Sequence, residues 1–226
     1  MRLTAIIPML NEERAIAATL EALRSAAPEA EIIVVDGASA DRSVELARPR
    51  CDRLIAGARG RARQMNAGAA AAGGDVFVFV HADTLVGRGF TDEIAAALVD
   101  SRTAGGRFDI AFDQAGGGLG MVAAMINLRS RLMRSATGDQ AIFVRRDVFE
   151  RIGGFAEIEL CEDVDFVRRL KRRGSFACVR ARVRTSARRW RSGGVARTIL
   201  RMWAIKALYL AGASPAWLKR HYADSR

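Results

Sequence analysis

Apolar runs of strand length alternate with helical stretches through residues 1–100, and this alternation constrains the fold more than any other feature of the chain. Leu3–Pro8 is the first run. Asn11-Glu12-Glu13-Arg14 then opens an Ala/Leu-rich helical stretch to about Ala26, with Asn11 suited to its N-cap and acids in its first turn. Pro28 stops it, and Glu31–Val35 reads as a buried strand ending at Asp36-Gly37. A helix from Asp41 or Ser43 to about Ala47, a strand at Arg53–Ala56 and a helix from Gly60 to Ala72 follow. Val76–Val80 is the clearest buried strand and stops at His81-Ala82-Asp83, before a helix from Gly89 to about Val99. A β-α-β-α-β-α-β order calls for an α/β fold, a mostly parallel central sheet with helices on both faces. Ligands of such sheets lie beyond the carboxyl ends of the strands. The polar residues fall there: Asn11 past the first strand, Asp36 past the second, Asp83 past the fourth.

The rest of the chain is less regular. A strand is expected at Gly105–Phe112, a helix from Leu119 to Ala136, a short strand at Ala141–Val144, and helices at Asp147–Ile152, Glu162–Arg173 and Thr198–Leu210, the last ended by Gly212 and Pro215. There is no repeat and no linker, so residues 1–226 read as one domain. It divides into residues 1–100, residues 101–190 and a C-terminal helical segment, 191–226.

Composition removes several classes. Three cysteines without C-x-x-C spacing oppose a disulfide framework or structural zinc, and two histidines leave little for a His-based metal site or a catalytic triad. No charge-free apolar run reaches about 18 residues, and no signal-peptide pattern opens the chain, so a cytoplasmic protein is expected. Neither G-x-x-x-x-G-K-[ST] nor G-x-G-x-x-G is present, which disfavours P-loop and standard dinucleotide enzymes. The net charge of +11 is uneven: residues 1–144 hold 16 basic and 17 acidic side chains, and residues 145–226 hold 20 and 8. A basic last third suits an anionic partner: a nucleoside diphosphate, an anionic lipid surface or nucleic acid.

Asp36 can accept hydrogen bonds from a ribose hydroxyl or a base N–H, and Asp83 can hold a divalent cation that neutralises a diphosphate. His81 is a helper that Mn²⁺ tolerates. Each aspartate could equally be a turn or cap residue. Arg59-Gly60-Arg61-Ala62-Arg63-Gln64 sets three arginines at a helix entry, where cations oppose the macrodipole but attract anions. Glu159, Glu162, Asp163 and Asp165 crowd within seven residues, either capping a helix or supplying a general base. Ser186-Ala187-Arg188-Arg189-Trp190 offers a cation and a flat ring.

Taken in order, these segments resemble family 2 glycosyltransferases of the GT-A fold. The resemblance is carried by Ala5-Ile6-Ile7-Pro8-Met9-Leu10-Asn11-Glu12-Glu13, Val34-Val35-Asp36-Gly37-Ala38-Ser39, Asn66-Ala67-Gly68, His81-Ala82-Asp83, Gly153-Gly154-Phe155 and Glu162-Asp163. Gly60–Gly68, His81–Thr84 and Thr137-Gly138-Asp139-Gln140 are similar to the subgroup called radical-SAM/selenodomain-associated transferase 2, a name recording a genomic association. The resemblance implies an inverting transfer from a nucleoside-diphosphate sugar to a hydroxyl acceptor, with residues 1–100 as the nucleotide-binding half and 101–190 as the acceptor-side half of a single GT-A domain. It implies nucleotide contacts from Pro8, Asn11, Glu12, Asp36, Gly37, Arg61 and Gln64, and Mn²⁺ or Mg²⁺ on Asp83 with His81 where the first aspartate of D-x-D would stand. Asp163, with Glu162 second to it, is the implied base, and Asp139, Gln140, Arg189 and Trp190 the acceptor or phosphate side. Ser186 stands where the processive Q-x-x-R-W motif has Gln, which argues against processive synthesis. Two other readings compete: a sugar nucleotidyltransferase, which would usually carry a Gly-rich basic loop after the first strand, and a basic nucleic-acid-binding protein, for which no recognition motif is present. The segment Val195–Leu218, with Trp203, Tyr209 and Trp217 among Arg197, Arg201 and Lys206, would either rest on an anionic membrane or pack as a C-terminal helix. No nucleic acid is expected as partner.

Overall fold

In the computed structural model, which describes residues 1–113, 116, 118–188, 190 and 194–221, β1 (Leu3–Met9), β2 (Glu31–Asp36), β3 (Arg53–Ala56) and β4 (Val76–Phe79) lie side by side and parallel. Between them run α1 (Ile16–Ala26), α2 (Ser43–Ala47) and α3 (Arg61–Ala71). The chain continues through β5 (Thr84–Leu85), α4 (Phe90–Ala97), β6 (Thr103–Phe112), α5 (Leu119–Leu132), β7 (Ile142–Arg145), α6 (Arg146–Arg151), α7 (Glu162–Leu170) and β8 (Ser175–Thr185). Two further helices follow, α8 (Val195–Leu210) and α9 (Pro215–His221). The sheet order is β3-β2-β1-β4-β7-β6-β8-β5. β7 is antiparallel to both β4 and β6, and β5 to β8, while β6 and β8 are parallel. The expected mostly parallel α/β sheet is present.

The central strands read as continuous apolar runs because helices cover both faces. Side chains alternate across the sheet. Ile7, Val34 and Val78 enter one core with Leu20, Phe108 and Phe143. Ile6, Val35 and Phe79 enter the other with Phe149, Phe155 and Phe166. In that second core the Phe155 and Phe166 rings stack at 4.1 Å, and Phe79 meets Phe155 edge-on.

Topology also decides where chemistry can occur. β1, β2, β4, β6 and β8 share one direction, so their carboxyl ends form one edge of the sheet. β7 runs against them, so its amino end, and the turn at Gly138–Gln140 before it, reaches the same edge.

Several expected boundaries shift. Asn11 is not a cap: it has φ 53°, and α1 starts at Ile16 after Ala15, with no side-chain cap. α5 and α7 stop earlier than expected, at Leu132 and Leu170, and α8 starts earlier, at Val195. Pro215 opens α9 as well as ending the preceding segment, since its missing N–H costs nothing at a first helical position. β8 was not expected from the sequence, although Val179–Thr185 alternates exposed arginines with more buried residues. Its pairing with β6 slips from Phe108↔Val179 to Asp109↔Arg182.

Two of the motif segments turn out to be packing devices. A Cβ on Gly68 would lie 2.4 Å from Ile6 Cγ2, so glycine lets α3 lie close on β1. Asn66 Nδ2 donates to the Phe155 carbonyl, and Phe155 N donates to Asn66 Oδ1, both at 2.9 Å. This clamps the Gly153-Gly154-Phe155 turn to α3. Gly68→Ala is expected to destabilise the fold by about 1–3 kcal/mol through overpacking. Asn66→Ala, which strips two main-chain groups of their partner, is expected to cost about 1–3 kcal/mol. Urea unfolding midpoints measure both, and an unchanged midpoint in either would contradict the packing role.

Candidate active site

The floor of the carboxyl edge is tied by Gln64. Its buried amide, on α3, donates from Nε2 to the carbonyls of Met9 (2.7 Å) and Val35 (2.8 Å), joining the ends of β1 and β2. A Cβ on Gly37 would come within 2.9 Å of that nitrogen, so glycine is needed beside it. Gln64, expected to touch the nucleotide, instead spends this donor on the strands. Pro8 lies just inside the floor, paired with Val35.

Two loops are laced above it. Asp36, at the end of β2, accepts from Ser39 N (3.1 Å) and from the Ser39 hydroxyl. Ser39 Oγ accepts in turn from Asn11 N (2.9 Å), and Asn11 Oδ1 accepts from Ala40 N (2.8 Å). The left-handed backbone of Asn11 is therefore repaid by a side chain that holds the β2 loop. Glu12 N donates to Ser43 Oγ at 2.7 Å, and the Glu12 carboxylate accepts from Arg188 Nη2 at 2.9 and 3.1 Å.

Arg188 comes from just past β8 and also reaches Asp83, at 3.5 Å. Burial pushes the Asp83 pKa up, and Asp139 adds to this, against the opposing pull of Arg188 and Arg61. On the other side of the edge stand Glu162 and Asp163, the first residues of α7. Arg61 Nη1 donates to Glu162 Oε1 at 3.2 Å. Burial alone would lower the Arg61 pKa, but Glu162, Asp163 and Asp83 together raise it. One guanidinium thus senses all three carboxylates.

Asp163 is held by main chain. Gly138 N donates to its Oδ2 (2.8 Å) and Val164 N to its Oδ1 (2.7 Å). Its pKa is nevertheless raised to about 6, by burial first and the Glu162 carboxylate second, against Gly138 N–H and Arg61. His81 packs on the same turn: a Cβ on Gly138 would lie 2.5 Å from its Nε2. Gly138 therefore joins the Asp83 side to the Asp163 side. Asp139 on that turn accepts from Thr137 Oγ1 at 2.6 Å.

Two expected contacts need correction. Gln140 is fully buried. Its Oε1 accepts from Thr137 N and Ser130 Oγ, and its Nε2 faces the Phe108 carbonyl, so it builds the turn and cannot face an acceptor. Trp190 is buried against Phe112, with ring centroids 5.6 Å apart, in a small core with Leu119 and Val122, so it offers no open platform. Arg189 lies outside the described residues. Arg188 and Gly138 lie in segments quoted from the sequence, Ser186–Trp190 and Thr137–Gln140, but neither was given a site role there.

The structure therefore gathers Asp83, Arg188 and Glu12 on one side with Arg61, Glu162, Asp163 and Asp139 on the other. Raised carboxylates beside fixed cations suit a site that takes a proton and stabilises a departing anion.

Known proteins share the fold. The model of the family described as glycosyl transferase family 2 matches residues 4–152. No curated protein gives a significant match. Among solved structures, residues 1–349 of TarS from S. aureus align with TM-score 0.67 and 18% identity, over 96% of this chain and 68% of that one. The chain spans 41% of a longer TarS structure. The mannosyltransferase PcManGT from Pyrobaculum calidifontis, in complex with GDP-Man and Mn²⁺, gives TM-score 0.68 and 18% identity, over 92% and 61%. Glucosyl-3-phosphoglycerate synthase from Mycobacterium tuberculosis, with Mn²⁺ and UDP, gives 0.60 and 18%, over 80% and 70%. With the family model matching residues 4–152 and the GT-A fold shared with these structures, this chain belongs to glycosyl transferase family 2 and is a glycosyltransferase.

Proposed function

We propose that this glycosyltransferase moves a sugar from a nucleoside-diphosphate sugar to an acceptor oxygen with inversion, assisted by a divalent cation, with Asp163 as general base. The observation that carries the proposal is that Asp163, with its pKa raised to about 6, shares Arg61 with Asp83 across one edge of the sheet. A base poised near neutrality can take a proton and still be ionised at working pH. Its two main-chain donors fix its orientation without neutralising it.

The residues present suit Mn²⁺ or Mg²⁺. Among the described residues no three His, Cys, Asp or Glu side chains form a metal cage. Asp83, however, is a half-buried carboxylate whose nearest cation contact, Arg188, is long at 3.5 Å. Mg²⁺-type sites commonly use one or two carboxylates and complete their oxygen shell from substrate phosphates. Asp83 would hold the cation, which, when bound, would offset charge growing on the diphosphate. His81, packed on Gly138, would be its second protein partner. Asp36 would accept from the base or ribose, with Asn11 and Ser39 setting its loop. Gln64 and Gly37 position that floor without touching the nucleotide. Arg61 and Arg188 would neutralise the departing anion. In the step itself the acceptor O–H proton passes to Asp163, the oxygen bonds to the anomeric carbon, and the bond from that carbon to the diphosphate oxygen breaks. The nucleoside diphosphate leaves with the electron pair.

We also place the enzyme in the cytoplasm, at the inner face of a membrane. The basic excess of residues 145–226 supports the contact. No helix among the described residues is long and apolar enough to cross a membrane.

Asp163→Asn keeps the side chain's shape but removes its basicity, and is expected to lower kcat by about 10²–10⁴-fold with donor affinity nearly unchanged. Steady-state kinetics with isothermal titration of the donor measures both. An equal loss of donor affinity would move Asp163 out of the base role. The pH profile gives an independent reading. Because burial raises the Asp163 pKa, kcat is expected to rise as pH increases through about 6. By linkage, the favourable contribution of the protonated acid to stability is full below the ordinary carboxylate range and lost as pH rises through about 6. A kcat profile flat across this window would exclude Asp163 as the titrating base.

A further inference from the structure

One guanidinium nitrogen sits where two acids of the site converge. Arg188 Nη2 lies 2.9 and 3.1 Å from the Glu12 carboxylate oxygens and 3.5 Å from Asp83 Oδ2. Three oxygens from two segments thus face one nitrogen. Sheet order explains the meeting. Glu12 follows β1 and Asp83 follows β4, and these strands are paired. Asp83 also precedes β5, whose Thr84 pairs with Thr185 at the end of β8, so the antiparallel ladder carries the chain just past β8 back to Asp83.

The surroundings are pinned. Glu12 N donates to Ser43 Oγ at 2.7 Å. Ala187 N donates to Asp113 Oδ1 at 3.0 Å, and Arg188 N to Ser186 Oγ at 3.2 Å. Trp190 N donates to the Ala187 carbonyl at 2.9 Å, with its ring in the small core. The free element is the Arg188 side chain, 45% exposed, against 12% for Glu12 and 20% for Asp83. Burial lowers the Arg188 pKa, but Glu12, by hydrogen bond and charge, and Asp83 raise it, so the group stays charged.

Two carboxylates and one guanidinium leave a single negative charge. A divalent ion entering on Asp83 while Arg188 stays would set like charges side by side. A diphosphate resolves the conflict. It supplies oxygens to complete the ion's shell, and it is an anion that a guanidinium binds well.

We propose that Arg188 is the resident cation of the metal site: its guanidinium holds Glu12 and Asp83 until a nucleoside diphosphate arrives with the metal ion, then turns from the acids to the phosphates. Free metal is thereby kept off Asp83, and metal and donor load together. The inference rests on Asp83 being the residue that holds the cation.

Mn²⁺ binding to the full chain is followed by loss of the free-ion electron paramagnetic resonance signal, without nucleotide and with UDP or GDP. The unaltered protein is expected to bind Mn²⁺ weakly alone and more tightly with one of the nucleotides. Arg188→Gln is expected to move the two in opposite directions. Mn²⁺ alone binds about tenfold or more tighter, as coupling between two ligands of one site gives, while the nucleotide with Mn²⁺ binds more weakly. Arg188→Lys keeps the charge and is expected to leave Mn²⁺ alone as weak as before. A residue that only shapes the loop would weaken both when replaced by Gln, and one that only contacts diphosphate would leave Mn²⁺ alone unmoved. Either result overturns the proposal, as does Arg188→Lys admitting Mn²⁺ as readily as Arg188→Gln, or unaltered protein binding Mn²⁺ as tightly alone as with nucleotide. Asp83→Asn separates the failures. If it leaves Mn²⁺ binding with nucleotide intact, or if Mn²⁺ binds in no arm, the metal reading of Asp83 falls and this inference with it. If it abolishes that binding while Arg188→Gln fails to tighten Mn²⁺ alone, only the role of Arg188 falls.

Discussion

Mutually repelling carboxylates at one sheet edge are kept together by Arg61. Glu162 accepts from it directly, and Asp163 and Asp83 both raise its pKa. Without that guanidinium, partly buried acids at the start of α7 and beyond β4 would carry an uncompensated charge, and burial would drive them toward neutrality. The compensation is deliberately incomplete at Asp163. Its pKa stays raised because Glu162 takes the ion pair, leaving Asp163 only main-chain donors. Glu162 holds the ion pair, while the adjacent Asp163 keeps a raised pKa.

The same edge shows how stability and chemistry are divided among neighbouring residues. Gln64, Asn66, Gly68 and Gln140 look like site residues by their motifs, yet each is spent on main chain or close packing. Asn66 fastens the Gly153-Gly154-Phe155 turn to α3, and that turn leads into the segment before Glu162. Gly138 donates to Asp163 and leaves room for His81. These residues hold the reactive groups in place, a role that tolerates substitution as poorly as direct contact does.

Much of the first half was legible because its physics is local. Buried parallel strands give unbroken apolar runs, and the intervening helices are bounded by Pro and Gly, so β1 to β4 and their order follow from pattern. Asp36 and Asp83 were legible for the same reason, since the strand ends mark the edge. Asp163 and Glu162 were visible as acids in a basic region, with Asp163 ranked first by the resemblance, but the pairing of Glu162 with Arg61 was not legible. Asn11 was misjudged as a cap because its side chain has two uses that look alike in sequence: capping a helix, or bridging to Ser39 and Ala40. β8 was missed although Val179–Thr185 alternates, because its three arginines read as part of the basic last third rather than as the exposed face of a strand.

The sequence by itself determined the alternating strands and helices, the acids beyond the strand ends, and the basic last third, because each depends on neighbours a few residues apart. Only the tertiary structure decided that β7 reverses and delivers Gly138 to Asp163, and that Arg188 meets Glu12 and Asp83. It also decided that Trp190 is core and that α5 turns Met121, Met125, Leu128 and Leu132 outward. Those outcomes turn on strand direction and on which helix face finds a partner, and these are settled by contacts between residues dozens to well over a hundred positions apart.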